Sequence, residues 1–283
     1  ENTYNTRIQA KHNGDEATAK ALKLPLNTVS GAMENQYNDL YDPLGARSTR
    51  ITGQLFLTQF LMMLHQACAS IKVLNFNTDG LMYSIDTSER DTAMRIAKEW
   101  ESITHLELET DEIAKVWIKD VNNLLFIKTN GKVKTVGGYL NYGISEKGAW
   151  AINNNHTIVK DAVKAYFIEK IPVEKTISAC NKLFKFQIIA KAGSGYTRVV
   201  QGQTPLQKVN RVYASLDKSK GTLMKRKKDG SIGKIGGLPA HCIVDNNNQL
   251  TIDQIDKRWY IDLAQKYIAD YTGNSSEEGT QCT

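Results

Sequence analysis

Long apolar runs, paired cysteines and an acidic surplus are all missing from these 283 residues, and each absence closes a class of function. No apolar stretch reaches the roughly 20 residues that cross a bilayer. Leu55–Leu64 is broken by Thr58 and Gln59 and runs into His65 and Gln66, so no membrane partner is expected. The start carries no secretory apolar segment, and no initiator Met precedes Glu1, as in a processed chain or a fragment. Cys68, Cys180, Cys242 and Cys282 lie far apart without a metal-type pair, which reads as single thiols in a reducing compartment. No Ser-His-Asp or Cys-His signature occurs, Gly193-Ser194-Gly195 is too short for a phosphate loop, and no internal repeat is evident.

What is present is ordinary in bulk and uneven in detail. A content of 41% hydrophobic and 23% charged residues describes a globular protein of one large domain or two smaller ones. The 36 Lys and Arg exceed the 30 Asp and Glu, giving +6, with the surplus concentrated in a few segments. Tyr4 to Leu24 reads as two polar helices joined by a tight turn at His12-Asn13-Gly14-Asp15, with Pro25 placed to kink or restart a helix. A longer helix is expected from near Ser48 to Ser70, with Ile51, Leu55, Leu57, Leu61, Met62, Leu64 and Ala69 on a broad buried face. Ser88 is placed to cap a further helix to about Thr104, on which Ala93, Ile96, Ala97, Trp100 and Ile103 recur at helical spacing.

Between those helices, Ile71–Phe76 and Leu81–Ile85 are separated only by Asn77-Thr78-Asp79-Gly80. The flanks favour strands, so the segment is expected to be a β-hairpin with the Asp79 carboxylate at its tip, a rigid way to hold a metal ligand. An aspartate in such a turn also serves local backbone hydrogen bonds, so the functional meaning depends on context. Strands follow at Val116–Lys119 and Leu124–Thr129, and Asn130-Gly131 is a hairpin turn into Lys132-Val133-Lys134. The polar Asn153-Asn154-Asn155 tract, within Glu146–His156, marks a boundary. Beyond it the pattern gives helices near Ile158–Ile168, Ile177–Phe184 and Ile252–Tyr267, a strand at Phe186–Ala190, and a frayed end over Asn274–Thr283. The fold class is therefore α+β.

A second constellation is Lys23-Leu24-Pro25-Leu26-Asn27-Thr28-Val29-Ser30-Gly31. On a helix Lys23 and Asn27 share a face with Gly31, where a missing side chain lets a flat ligand approach. Lys11 and Arg7 stand on the preceding helix, and basic groups on successive helices can converge on one polyanion. The competing reading is a solvated helical face.

Taken in order, the two constellations resemble the C-terminal half of a family B DNA polymerase, especially the phage enzymes. Those carry a fingers helix with Lys, three residues, Asn, Ser or Thr, one residue, Tyr, Gly, matched here by Lys23, Asn27, Thr28 and Gly31. About 50 residues later comes the palm hairpin usually written Asp-Thr-Asp, here Asn77-Thr78-Asp79. The resemblance implies a fingers end over 1–45, a partial palm with an antiparallel sheet and packed helices over 46–148, and a mixed, partly helical thumb over 149–283. It implies template-directed DNA synthesis by two-metal nucleotidyl transfer to a primer 3′ hydroxyl, with dNTP as substrate and Mg2+ as cofactor. Asp79 would bind the metals, with Asn77 as a weaker oxygen ligand. Lys23 and Lys11, helped by Arg7, would hold the triphosphate, Lys23 would help protonate the leaving pyrophosphate, and Asn27 and Gly31 would shape the nucleotide surface. The implied location is the cytoplasm of a bacterial host.

Three departures qualify the resemblance. Asn77 replaces the first hairpin aspartate, and Ser30 stands where the family has Tyr. No Asp followed by Ser-Leu-Tyr-Pro occurs, and no exonuclease region precedes the fingers motif, so the chain holds half of an active site. The expectation is one part of a split enzyme, or a fragment, with a separate N-terminal chain bringing the exonuclease, the first palm aspartate and the leading fingers helix. The alternatives are a catalytically inactive polymerase-like DNA-binding subunit and an unrelated basic α+β nucleic-acid-binding protein.

Two regions are expected to touch primer-template DNA. Lys132 and Lys134 lie on one strand face, followed by Gly137-Gly138 and Tyr139, in loose similarity to the family's Lys-rich palm segment. Lys218 to Lys234 contains Lys218, Lys220, Lys225, Arg226, Lys227 and Lys228 with Asp229 as its single acid, and reads as a flexible loop or ribbon for salt-dependent phosphate contact. Lys208 and Arg211 extend that track upstream, with Arg198 a weaker candidate. A protected sheet edge and a solvated charge run are the respective competing readings.

Overall fold

Glycine and proline punctuate the chain where the backbone changes course, and helices alternate with antiparallel hairpins between them. The computed structural model describes residues 2–78, 80–141 and 155–273. They form an α+β protein in two compact units, Glu1–Thr110 and Asp111–Thr283, whose boundary falls inside the stretch 46–148. The tract 142–154, Asp79 and the segment 274–283 lie outside the described residues, and with them most of the polar boundary and the expected frayed end. No helix among the described residues is long and apolar enough to cross a membrane.

The first unit begins with α1 (Asn2–His12) and α2 (Glu16–Glu34). Gly14 turns the chain at φ +73°, and the Asp15 carboxylate caps α2 by accepting the Thr18 N–H at 3.0 Å. Pro25 neither stops nor restarts α2, which continues across it. α3 (Pro43–Ala67) starts five residues before the expected Ser48, because Asp42 accepts the Gly45 N–H at 2.9 Å and Pro43 takes the first turn, where its missing N–H costs nothing. A Cβ on Gly45 would lie 2.3 Å from the Asp42 carboxylate, so a larger residue there would displace the cap.

The broad buried face expected on α3 is narrower in fact. Phe60 and Leu64 are buried, whereas Ile51, Leu55 and Met62 are exposed. The α3 end packs on α4 (Arg90–Thr104) through Phe60, Leu64, Cys68, Ala93, Ile96, Ala97 and Trp100, a small core that does not extend back along α3. The Trp100 indole donates to the Phe56 carbonyl at 3.0 Å. Ser88 does not cap α4 as expected, because Thr87–Glu89 forms a preceding 3-10 turn, and Ile103 stays exposed. Between α3 and α4 stand β1 (Lys72–Phe76) and β2 (Leu81–Ser84), paired antiparallel with Phe76 opposite Leu81.

The second unit opens with β3 (Ile113–Asp120), β4 (Asn123–Lys128) and β5 (Val133–Val136), an antiparallel meander. Gly131 takes φ +80° in the expected Asn-Gly turn. α5 (Thr157–Glu169) and α6 (Val173–Ala179) follow, and the helix expected to Phe184 stops at Ala179 and re-forms as a 3-10 turn at Leu183–Phe186. β6 (Ile188–Lys191), β7 (Arg198–Gln201), β8 (Thr204–Pro205), β9 (Val209–Ala214), β10 (Leu223–Arg226), β11 (Ile232–Lys234) and β12 (Cys242–Val244) divide into two antiparallel sheets, β12-β9-β6 and β11-β10-β7-β8. α7 (Lys257–Thr272) starts later than the expected Ile252, because Ile255 bridges to Ser215 and Asp256 caps the helix through the Arg258 N–H.

The core of this unit joins α5, α7 and the sheets around Val159, Val163, Phe186, Tyr213 and Tyr260. At its centre the Tyr260 hydroxyl accepts the Ala214 N–H at 3.1 Å and donates to the Phe186 carbonyl at 2.7 Å. The two bonds satisfy the polar end of this fully buried phenol.

Candidate functional site

In the first unit the hairpin is the rigid element. Asn77 N–H donates to the Gly80 carbonyl at 3.0 Å, closing a four-residue tip on the Phe76–Leu81 pair. Asp79 lies outside the described residues, while Asn77 and Thr78 beside it are exposed. The base of the hairpin is braced by a group that sequence reasoning missed. The Glu89 carboxylate accepts the Ala69 N–H at 2.8 Å, the Ser70 N–H at 3.1 Å and the Ser70 hydroxyl, and that hydroxyl accepts the Asp86 N–H at 2.8 Å. The Ser70 hydroxyl is the main reason the Glu89 carboxyl sits below the usual carboxylate range. The brace ties the strand entry to the start of α4, so the tip is aimed by packing on both sides.

The Lys23 constellation falls on α2 as expected. Lys23, Asn27 and Gly31 are all exposed, and a Cβ on Gly31 would meet nothing within 4 Å. No described residue demands glycine there, which leaves the face open to a molecule from outside. Arg7 and Lys11 are more committed. Arg7 Nε donates to the Ala19 carbonyl at 3.3 Å and so helps pin α1 to α2, and Lys11 pairs with Glu109. An exposed ion pair of that kind is weak, so Lys11 remains available to a stronger anion.

In the second unit the Lys132–Tyr139 segment divides by role. Lys132 is exposed, and Lys134 sits opposite Phe126 with its ammonium 5.8 Å from that ring. Tyr139 instead turns inward: its hydroxyl donates to Asp270, its ring stacks on Tyr267 at 3.9 Å, and the Lys119 ammonium lies 4.6 Å from its ring centroid. Burial, followed by the Asp270 hydrogen bond, pushes its phenol far above the ordinary range. The glycines divide too. Gly137, at φ +82°, leaves no room for a Cβ against the Asn122 carbonyl, whereas Gly138 faces open space. Under this turn Lys160 is buried, donating to the Gly138 carbonyl at 3.2 Å, and burial pulls its ammonium down to about 8.

The basic run from Lys218 is a built ribbon. β10 and β11 pair through Arg226–Ile232 and Met224–Lys234, and Lys227, Lys228, Asp229, Gly230 and Ser231 form the tip, with Gly230 at φ +83°. Lys218, Lys220, Lys227 and Lys228 are exposed. Lys225 lies 4.5 Å above the Tyr196 ring, which orients it without neutralising it. On the other side of β10, Arg226 stands directly opposite Arg198 of β7. Like charges facing each other across a ladder are destabilising, and an anion beside them would relieve that. That opposition could not be read from the sequence, because the two residues are brought together only by strand register.

Lys208 is exposed beside the same sheet. Arg211 is half-buried and serves the neighbouring loop: its backbone N–H donates to Asn246 Oδ1 at 2.9 Å and its guanidinium to Asn248. No group of three His, Cys, Asp or Glu side chains able to hold a metal occurs among the described residues. The Asn77 amide and the Asp79 carboxylate are hard oxygen donors of the kind Mg2+ takes, and too few to hold it without further oxygens. The chain matches no model of a known protein family and no curated protein.

Proposed function

We propose that this chain is the C-terminal part of a split, phage-type family B DNA polymerase. It would contribute the fingers end over 1–45, a palm portion over 46–148 and the thumb over 149–283. The observation that carries the reading is the order of two features: an exposed Lys23, Asn27 and Gly31 face on α2, then, after α3, a braced hairpin whose tip reads Asn77-Thr78-Asp79-Gly80. Either feature alone is common; chemistry that joins a nucleotide to a primer end needs both.

In this reading Lys23, with Lys11 and Arg7 behind it, binds the triphosphate of an incoming dNTP, and Lys23 delivers a proton to the departing pyrophosphate. Asn27 and Gly31 set the surface against which the nascent pair lies. Asp79, with Asn77 beside it, would hold part of a Mg2+ pair, which when bound supplies activation of the primer hydroxyl and charge neutralisation on the triphosphate. The remaining aspartate and the exonuclease would come from polypeptide outside these 283 residues, in which Asp-x-x-Ser-Leu-Tyr-Pro does not occur. Ile51, Leu55 and Met62 on α3, and Val73, Leu74 and Phe76 on β1, stay exposed, and exposed apolar side chains of this kind would suit the interface with that partner. Lys132 and Lys134 of the palm, and Lys208, Lys218, Lys220, Lys225, Arg226, Lys227 and Lys228 of the thumb, carry the primer-template duplex by its phosphates. The assembly would work in DNA replication in the cytoplasm of a bacterial host.

A second reading, a DNA-binding subunit without catalysis, draws on Asn77 and Ser30, each of which lacks a group that the polymerase pattern uses. The two readings part at α2. Lys23→Ala in the assembled enzyme is expected to lower kcat/KM for dNTP roughly a hundred-fold with DNA affinity unchanged. An unchanged kcat/KM would remove Lys23 from the reaction and favour the second reading.

A further inference from the structure

Beside the basic sheet lies a shallow depression of about 460 Å³, lined in part by Arg198, Pro205, Leu206, Gln207, Lys208 and Asn246. Its size falls within the roughly 300–1,000 Å³ range of small-ligand pockets. Among the described residues neither Arg198 nor Lys208 has an ion-pair partner, and both are exposed at the rim.

The floor is fixed by two amides that bond to each other and to the backbone. Asn210, fully buried, donates to the Gln207 carbonyl at 2.7 Å and accepts from Asn246 Nδ2 at 3.1 Å, and Asn246 Oδ1 takes the Arg211 N–H at 2.9 Å. Buried Asp245 holds the adjoining loop by accepting the N–H groups of Asn247 at 3.2 Å, Gln249 at 3.0 Å and Leu250 at 3.1 Å. Burial pushes its carboxyl up, and these bonds outweigh it, so the carboxylate stays charged and the loop stays shaped. A preorganised floor, an apolar wall and two unpaired cations at the rim make a seat, where a solvated patch would have mobile walls.

We propose that this depression seats one nucleotide of single-stranded DNA, its phosphate between Arg198 and Lys208 and its sugar and base against Pro205, Leu206 and the Gln207 amide. Duplex DNA keeps its bases stacked inside and offers the depression nothing but a phosphate; an unpaired strand has a free base and sugar to enter it. The seat rests on the DNA-binding reading above and adds to it a preference for the unpaired strand. Arg226, opposite Arg198, extends the positive field along the same strand path.

The test is fluorescence anisotropy with the full chain, without metal, dNTP or a second protein, on a single-stranded oligonucleotide and on a blunt duplex of equal length. Arg198→Ala is expected to weaken single-strand binding roughly ten-fold and to lower the slope of log K against log salt by about 0.7, the share of the one seated phosphate, while duplex binding changes less than three-fold. Gln207→Glu, which puts an anion beside the seat, is expected to give a similar loss on the single strand. Thymidine 5′-monophosphate should compete with the oligonucleotide where equimolar inorganic phosphate does not. Equal losses on both DNA forms, no loss on either, or equal competition by phosphate would each overturn the seat. A chain that binds DNA while Arg198→Ala behaves like the parent rejects the seat alone; a chain that binds no DNA rejects the broader reading with it.

Discussion

Replacing Asp79 by asparagine is expected to cut primer extension by the assembled enzyme roughly a thousand-fold while leaving metal-free DNA affinity unchanged. The argument is one of charge. The hairpin tip already carries Asn77 where the family pattern has a first aspartate, so Asp79 is the single formal negative charge of Asn77-Thr78-Asp79-Gly80. Its loss leaves two neutral amides facing divalent ions, and several kcal/mol of attraction disappears from the step in which charge builds on the triphosphate. The strand frame should survive, because the Phe76–Leu81 pair, the Asn77 to Gly80 hydrogen bond and the Glu89 brace do not involve the Asp79 side chain. Isothermal titration with Mg2+ on the assembly gives the companion result, a weakened metal interaction. If neither extension nor metal binding changes, the enzymatic reading fails and the binding-subunit reading replaces it.

The second large effect is structural. Gly137→Ala is expected to destabilise the second unit by about 3 kcal/mol, whereas Gly138→Ala, one residue on, should stay within about 0.5 kcal/mol. A Cβ at Gly137 would sit 2.0 Å from the Asn122 carbonyl oxygen and 2.4 Å from Asn123 Oδ1, on a backbone at φ +82°. None of these can yield cheaply: the carbonyl belongs to the β3–β4 turn, and Asn123 Oδ1 also accepts the Tyr139 N–H at 3.1 Å. Gly138 meets nothing within 4 Å. Urea unfolding of the two variants separates the roles, and equal losses would contradict this account of the turn. The functional consequence follows from the chain path. The turn that Gly137 permits follows β5 and delivers Tyr139 to Tyr267 and Asp270, so a broken turn would loosen the strand proposed to face DNA without touching Lys132 or Lys134.

What the sequence made legible was local. The Gly14 turn, the β1–β2 hairpin and the Asn130-Gly131 turn all have their cause within a few residues, and all three are present. The helices were legible as helices, while their faces were less so. Periodicity marks Ile51, Leu55 and Met62 as one stripe of α3, and the stripe is exposed, because only the α3 end has α4 to pack against. A pattern records that a face is apolar; it does not name what covers it.

The parts of the candidate site that escaped reading depend on long-range pairing. Arg198 reached Arg226 through strand register, Glu89 reached Ser70 across the whole hairpin, and Asn210 met Asn246 just past the end of the neighbouring strand β12. Tyr139 had the opposite fate: nominated for DNA because it followed two lysines, it is held by Asp270 and Tyr267 from a helix far along the chain. Arg211 likewise spends its backbone and guanidinium on the Asn246 and Asn248 loop. The exposed lysines Lys23, Lys132, Lys208, Lys218, Lys220, Lys227 and Lys228 were easier to nominate, since a lysine at a turn or on a polar helix face has little within its own chain to claim it.

The central claim is that this chain holds one half of a polymerase active site, and primer extension measured with and without the other half tests it most directly. With Mg2+, dNTPs and a primed template, the purified chain alone should extend almost no primer. Adding the chain that carries Asp-x-x-Ser-Leu-Tyr-Pro should restore template-directed extension. Robust extension by this chain alone would contradict the divided site, and no extension by the pair would contradict the polymerase itself.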